Sequence, residues 1–221
     1  MAEDETLAEL LTAVSRIPEF YFDRELMDPD VGLCTALLTA ILLEDVPSEE
    51  RARNLDASAW AQSFLSRHPE AIDDLDAFAS LPVTEVADEL EGAVLDRRLA
   101  LRTLRIVGQI IESPCTVRSM ANLRDLGADR FFDVLDQLPD AKPLTTALLA
   151  LLLGAEPRAA FEPVRTRFLR NALTGDVPDD SGALLELAHA TEPRCADART
   201  YELAVVLAEL DGRTPYRSMR G

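Results

Sequence analysis

Two runs of the chain are apolar on every side of a helix, and they constrain the fold more than any other feature. Residues 31–43 read VGLCTALLTAILL, and residues 144–153 read LTTALLALLL. A helix without a polar face has to be surrounded by other elements, because its exposure would leave apolar surface in water. Neither run reaches the roughly 20 residues that a membrane-spanning helix needs. We therefore expect both runs to form buried helices of a helical core, and no contact with a membrane.

The rest of the chain shows helical rather than strand patterning. Apolar residues recur three and four positions apart, and alternating β-branched residues are scarce. Proline and glycine fall between these periodic segments. The sequence predicts an all-α fold, with helices over about residues 6–17, 31–43, 48–53, 57–67, 73–81, 84–90, 96–112, 119–126, 129–138, 144–153, from 163, 181–190 and 196–210.

The charge of the chain is strongly acidic and unevenly spread. There are 40 acidic against 22 basic residues, and Lys142 is the single lysine. Residues 1–90 hold 5 basic and 21 acidic residues, residues 91–170 hold 12 and 10, and residues 171–221 hold 5 and 9. This composition is typical of proteins that work at high salt, where ions screen surface repulsion. Ordinary fluctuation and solvated helix faces account for the balance of the middle segment, and an anionic partner is the alternative interpretation.

Cysteine and histidine are too few and too dispersed to predict a metal centre. Cys34, Cys115 and Cys195 stand far apart, and His68 and His189 lie on different predicted helices. No pair of cysteines has the short spacing that is usual in zinc and iron-sulfur sites. The first residues also lack the basic segment of a secretory signal. We expect reduced and mostly buried thiols, no cofactor and a cytoplasmic location.

The stretch from residue 131 to residue 170 predicts a rigid corner. An amphipathic helix ends near Leu138 and Pro139, a tight connection leads into the second apolar run, and Gly154 interrupts that run. An arginine-rich helix then opens near Pro163. Two helices joined by so short a turn provide either a nucleic-acid contact or only a part of the core.

Four segments, taken together in their order and spacing, resemble the endonuclease III family of helix-hairpin-helix DNA glycosylases. They are LLTA at 37–40 with DV at 45–46, VLDQLP at 134–139 with Thr145 after it, AF at 160–161 with PVRT at 163–166, and LDGR at 210–213. The resemblance implies a two-lobed helical fold of this type. A six-helix lobe would cover residues 30–159, and residues 1–29 and 160–221 would form the second lobe. It also implies a role connected with base-excision repair of DNA.

The residues on which the chemistry of that family depends are replaced in this chain. The hairpin glycines, whose backbone approaches a DNA phosphate, match Asp140 and Lys142. The nucleophilic lysine of the bifunctional members matches Leu144, and the aspartate that supports the departing base matches Arg165. Cysteines for an iron-sulfur cluster are absent after residue 213. We therefore expect no glycosylase or lyase activity.

Two non-catalytic functions are compatible with these replacements. The first is a non-catalytic protein that associates with duplex or damaged DNA, because basic side chains in a row can track phosphates. Its candidate contacts are Lys142, Thr145, Arg97, Arg98, Arg102, Arg105, Arg165, Arg167 and Arg170. A stripe such as that formed by Arg98, Arg102 and Arg105 is more often a solvated helix face that pairs with neighbouring acids. The second is a helical scaffold that binds a protein partner and no DNA, with the acidic first 90 residues facing a basic surface.

A third function, an enzyme whose chemistry has moved elsewhere, makes a geometric demand. It needs carboxylates, or Cys34, Cys115 and His68, gathered in one cleft. Nothing in the spacing of these residues in the sequence predicts such a gathering.

Overall fold

The computed structural model describes residues 2–22, 32–45, 56–86, 97–155, 159–178 and 180–212. Every regular element in these ranges is a helix, which confirms the all-α prediction. None of the described helices is long and apolar enough to cross a bilayer. Contacts divide the chain into unit 1, which comprises Met1–Leu26 and Gly154–Gly221, and unit 2, which comprises Met27–Leu153. The glycosylase-like character of the lobes stays a prediction.

The α-helices are numbered in chain order. Unit 1 holds the first helix and the last three, and unit 2 holds the others. They are α1 (Ala2–Val14), α2 (Leu33–Asp45), α3 (Asp56–Leu65), α4 (Leu75–Ala79), α5 (Arg97–Glu112), α6 (Met120–Leu126), α7 (Ala128–Gln137), α8 (Pro143–Leu152), α9 (Glu162–Ala172), α10 (Ser181–Thr191) and α11 (Ala198–Leu210).

Unit 2 is organised around α2, the first of the two apolar runs. This helix packs against α3, α4 and α8, and its residues from Leu33 to Glu44 are all buried. The second apolar run forms α8, whose residues from Thr145 to Ala150 are also buried. Both runs are therefore buried helices, as their lack of a polar face predicts.

The start of α2 is fixed by a glycine and by a shared aspartate. Gly32 has a φ of +91°, and a Cβ at this position would lie 2.5 Å from the carbonyl oxygen of Ile72, so another residue would not fit. The Oδ1 atom of Asp73 accepts hydrogen bonds from the backbone N–H groups of Leu33 and Met120, both at 2.7 Å. Asp73 thus satisfies a free N–H group at the start of both α2 and α6.

The apolar face of α5 differs from its prediction by one position. The expected face held Ala100, Leu104, Val107 and Ile111, whereas the structure buries Leu99, Thr103, Ile106, Val107 and Ile110. At 100° per residue, this places Arg102 at the edge of the buried face and Arg105 farther round the helix. Arg102, which the predicted stripe placed on a solvated face pairing with neighbouring acids, pairs with Glu44 and keeps 13% of its side chain exposed.

Unit 1 is organised around α11, which packs against α9, α10 and the short 3-10 helix Glu19–Tyr21. The sequence predicted one apolar face on α11, but the structure buries every residue from Thr200 to Glu209. Helix α1 packs against α9 and α10. Tyr21 and Phe22 are buried, which confirms that the aromatic segment after α1 lies on the core.

Several predictions fall outside the described residues. They concern the helix over 48–53, most of the predicted helix 84–90, the segment 23–31 and the tail from residue 213. The side chains of Arg97 and Arg98 are likewise outside the described part of the chain.

Candidate nucleic-acid interface

The predicted corner is present in unit 2. Helix α7 ends at Gln137, α8 begins at Pro143, and residues 138–142 connect them. Within the connection, the backbone N–H of Leu138 donates to the carbonyl oxygen of Leu135, and that of Ala141 donates to the carbonyl oxygen of Leu138, both at 3.2 Å. The connection is thus a tight turn with internal hydrogen bonds.

A buried carboxylate, that of Glu44 at the end of α2, lies against this corner. The Glu44 side chain is only 2% exposed. Arg102 on α5 binds it with both terminal nitrogens, Nη1 to Oε1 at 3.1 Å and Nη2 to Oε2 at 2.7 Å. The Lys142 ammonium pairs with Oε1, and the Thr145 hydroxyl donates to Oε2. We call these four residues the Glu44 cluster.

The same arginine also holds the turn. Its Nε donates to the backbone oxygen of Asp140 at 2.8 Å, and its Nη2 donates to the Thr145 hydroxyl at 3.1 Å. The Asp140 carboxylate in turn lies 3.1 Å from Gln109 Nε2 and 3.4 Å from Arg105 Nε. The hairpin is therefore tied to α5 through its backbone and its aspartate.

Electrostatics favour the ionised form of Glu44. Burial alone would raise the pKa of this carboxyl, because a low-dielectric surrounding disfavours charge. The hydrogen bonds from Arg102, Lys142 and Thr145 outweigh burial and hold the pKa of Glu44 below its usual range. Glu44 is thus a fixed negative charge that pairs with two of the candidate DNA contacts, Arg102 and Lys142, and balances one of their two positive charges.

A second cluster forms in unit 1 around Arg165. The nearly buried guanidinium of Arg165 on α9 pairs with Glu162 on the same helix and with Glu202 on α11. Glu162 also accepts hydrogen bonds from the hydroxyls of Ser181, at 2.9 Å, and Thr166, at 3.3 Å. We call these five residues the Arg165 cluster. It joins α9, α10 and α11.

The remaining candidates on α9 are more exposed. Arg167 is half exposed, and its Nε lies 2.5 Å from Oε1 of Glu209, whose side chain is completely buried in α11. Arg170 is exposed. In unit 2, Arg105 and Lys142 are each 59% exposed, while Thr145 is buried. The candidates therefore do not form one uniformly exposed basic surface.

Of the residues considered for relocated enzyme chemistry, both cysteines are buried. Burial raises the pKa of the Cys34 thiol far above its usual value, which disfavours the nucleophilic thiolate. Cys115 is buried as well. The Nε2 atom of His68 lies 3.8 Å from Oε1 of Glu85. Among the described residues, no group of three or more His, Cys, Asp or Glu side chains is arranged to hold a metal ion.

Comparison of the chain with protein-family models, with curated proteins and with solved structures gave no match in any of the three. The resemblance to the endonuclease III family therefore stays a prediction. Its hairpin frame and its replaced residues, Leu144 and Arg165, belong to that prediction.

The acidic side chains that pair with the candidate cations are not among the residues predicted from the sequence. These are Glu44, Glu162, Glu202 and Glu209. One signal was present, because Glu202 and Glu209 lie seven residues apart in the apolar run YELAVVLAEL and therefore share one helix face. Acidic residues inside an apolar helix are rarely buried unless they are paired, so such a run predicts basic partners on a neighbouring element.

Proposed function

We propose that this chain is a non-catalytic helical interaction protein that binds a basic protein surface, and that its hairpin is a structural corner. The observation that carries the proposal is the pairing of the candidate DNA contacts with buried carboxylates. Glu44 takes Arg102 and Lys142, Glu202 takes Arg165, and Glu209 takes Arg167.

Energetics favour keeping these pairs over giving their cations to DNA. Removal of one partner from a buried ion pair leaves an uncompensated charge, at a cost of about 3–5 kcal/mol. A good bidentate contact to a base contributes only about 1–3 kcal/mol of discrimination. Arg165 would therefore lose more inside the protein than it would gain outside it. Arg102 would leave Glu44 with Lys142 and Thr145, at the smaller cost of about 2–3 kcal/mol.

The charge of the whole chain supports a basic partner. The net charge is −18, and residues 1–90 alone hold 21 acidic against 5 basic residues. Such a field repels phosphates and increases the rate of encounter with a positively charged surface.

The catalytic positions suggested by the family resemblance hold Leu144 and Arg165, which supply neither a nucleophile nor a general base.

DNA association remains the second candidate, and one specific observation favours it. Arg105 and Lys142 lie at the hairpin and keep 59% of their side chains exposed. Both can reach a phosphate without leaving a carboxylate completely unpaired, because Arg102 still binds Glu44. In this alternative, the hairpin edge would contact the DNA backbone.

A salt titration separates the two candidates. Fluorescence anisotropy with labelled duplex and abasic DNA, from about 0.05 to about 0.5 M salt, should show no affinity that depends on salt. The comparison variants are the double variant Arg105→Glu with Lys142→Glu and, as a matched charge reversal away from the hairpin, Arg124→Glu. Binding that weakens with salt, and that the double variant abolishes while Arg124→Glu does not, would establish the DNA candidate instead.

The protein-binding candidate has its own test. A complex isolated from native extracts at matched salt should contain a basic protein, and the purified pair should bind in calorimetry with an affinity that falls as salt is added. If the purified components show no binding, or if the partner is acidic, the interaction proposal is wrong.

A further inference from the structure

The Arg165 cluster holds more negative than positive charge. A single guanidinium, that of Arg165, lies between the carboxylates of Glu162 and Glu202. Only one of the two negative charges can be balanced by this cation. A second negative charge in a partly dehydrated surrounding is unfavourable, and such sites relieve it by binding a proton.

The two carboxylates of this cluster are not equivalent. Glu162 is 44% exposed and accepts hydrogen bonds from Arg165, Ser181 and Thr166. Glu202 is only 8% exposed, and the hydrogen bond described for it comes from Arg165 alone. Hydrogen bonds and water both stabilise an ionised carboxylate, and Glu162 has more of each. Glu202 is therefore the carboxyl that retains a proton more strongly.

We propose that Glu202 is a proton-binding site of unit 1, and that its protonation in mild acid tightens the contacts of α11 with α9 and α10. After proton uptake, Arg165 and Glu162 form a balanced pair, and the Glu202 carboxyl is neutral. The site is a pH-sensitive element of the fold, and it does not depend on the function proposed above.

Charged groups on α9 and α10 act on Glu202 in both directions. Burial is the main cause that raises the pKa of Glu202, and the charges of Glu162 and Glu186 raise it further, against the opposing effect of Arg165. A groove of about 300 Å³ beside the cluster gives water a path to this carboxyl. The charged residues that line the groove are Arg165, Asp180, Glu186, Arg199 and Glu202.

The third element packed against α11 has its charged groups in other pairs. The 3-10 helix Glu19–Tyr21 also packs against α11. However, its Glu19 pairs with Arg194, and its Tyr21 hydroxyl donates to Asp211 at 2.6 Å. The two partners, Arg194 and Asp211, lie outside α11, one before its start and one after its end, so these contacts do not involve Glu202.

The direction of the pH effect follows from the two carboxyls. The pKa of Glu202 is raised in the folded state, so the folded protein binds more protons than the unfolded chain. The stability that Glu202 contributes is therefore lost as pH rises through its folded-state pKa. Hydrogen bonds and Arg165 overcome burial to lower the pKa of Glu162, so its contribution is lost at more acidic pH. The contribution of this cluster to stability should thus be greatest in mild acid.

The direct test is a titration of the Glu202 carboxyl carbon by ¹³C NMR, with the signal assigned from its loss in Glu202→Gln. The midpoint should lie above that of glutamate in an unstructured peptide. In Glu162→Gln the midpoint should move down, because the competing negative charge is gone. A midpoint at or below the peptide value in the native protein would overturn the proposal.

Denaturation provides a second and independent readout. The Glu202→Gln variant should have a higher urea midpoint than the native protein at neutral pH and the same midpoint in mild acid. Glu112→Gln, an exposed change in unit 2, is the matched control and should run parallel to the native protein. A Glu202→Gln variant that is less stable at every pH would contradict the proposal.

Discussion

The Glu44 cluster and the Arg165 cluster use the same side-chain types in opposite proportions. In unit 2, two cations, Arg102 and Lys142, surround the single carboxylate of Glu44. In unit 1, the two carboxylates of Glu162 and Glu202 surround one cation. The pKa of Glu44 is lowered as a result, whereas that of Glu202 is raised. The ratio of charges, rather than burial alone, decides whether a buried glutamate stays ionised.

The difference has structural consequences. The Glu44 cluster fixes the hairpin turn through an ion pair that persists as long as Glu44 is charged, whereas the Arg165 cluster responds to protons. Both clusters involve the helix around which their unit is organised, α2 in unit 2 and α11 in unit 1. Removing a partner from a buried charge on such a helix is costly when no other cation is in contact with it.

The largest effect should come from removing the single cation of the Arg165 cluster. Arg165→Met would leave Glu162 and Glu202 facing each other without a counter-ion. We expect a loss of about 3–5 kcal/mol in the free energy of unfolding at neutral pH, and a smaller loss in mild acid. Urea denaturation measures it, with the exposed change Arg170→Met on the same helix as the control, which should stay within about 0.5 kcal/mol. Equal losses in the two variants would show that the cluster is not balanced by Arg165.

The corresponding change in unit 2 should have a smaller effect. Arg102→Met leaves Lys142 and Thr145 in contact with Glu44, so the carboxylate keeps one cation. We expect a loss of about 2–3 kcal/mol, the range for hydrogen bonds to charged groups. The control is Arg105→Met, a surface pair for which about 0–1 kcal/mol is expected. If Arg102→Met lost more free energy of unfolding than Arg165→Met, the charge ratios of the two clusters would not explain their stability.

The pH dependence of Glu44→Gln should have the opposite sign to that of Glu202→Gln. Because the pKa of Glu44 is lowered, its contribution is present above the usual glutamate pKa and is lost as pH falls. The variant should therefore be less stable than the native protein by about 1.5 kcal/mol at neutral pH. The two urea midpoints should converge in acid. Curves that stay parallel from neutral pH into acid would rule out an ionised Glu44 in the folded protein.

The smallest effect should follow from removing the only lysine. Lys142→Met deletes an ion pair whose cation is 59% exposed, and Arg102 still binds Glu44. We expect a change of about 0–1 kcal/mol in thermal or urea unfolding. A much larger loss would mean that Lys142, and not Arg102, is the main partner of Glu44.

Much of the helical architecture could be predicted from the sequence, because it depends on local patterns. The run at residues 31–43 has no polar face, and it forms a helix buried on all sides. The corner between α7 and α8 follows from Leu138, Pro139 and the apolar run after them. These features require only the spacing of neighbouring residues.

The charge clusters could not be predicted in the same way. Arg102 and Glu44 are 58 residues apart, and Arg165 and Glu202 are 37 apart, so their pairing depends on helix packing. A shift of one position in the buried face of α5 was enough to turn Arg102 from a solvated residue into a buried partner. The sequence showed which cations are present, but the fold decides how many of them face solvent.

The central claim is that Arg102 and Arg165 are committed to buried carboxylates, and the guanidinium ¹⁵N–¹H signals of these two residues test it most directly. We predict that both give sharp side-chain signals that exchange slowly with water, and that neither signal moves when duplex DNA is added at low salt. The more exposed Arg105 and Arg170 serve as internal comparisons in the same spectrum. Rapid exchange of the Arg102 and Arg165 signals, or shifts of these signals that follow DNA concentration, would contradict the claim.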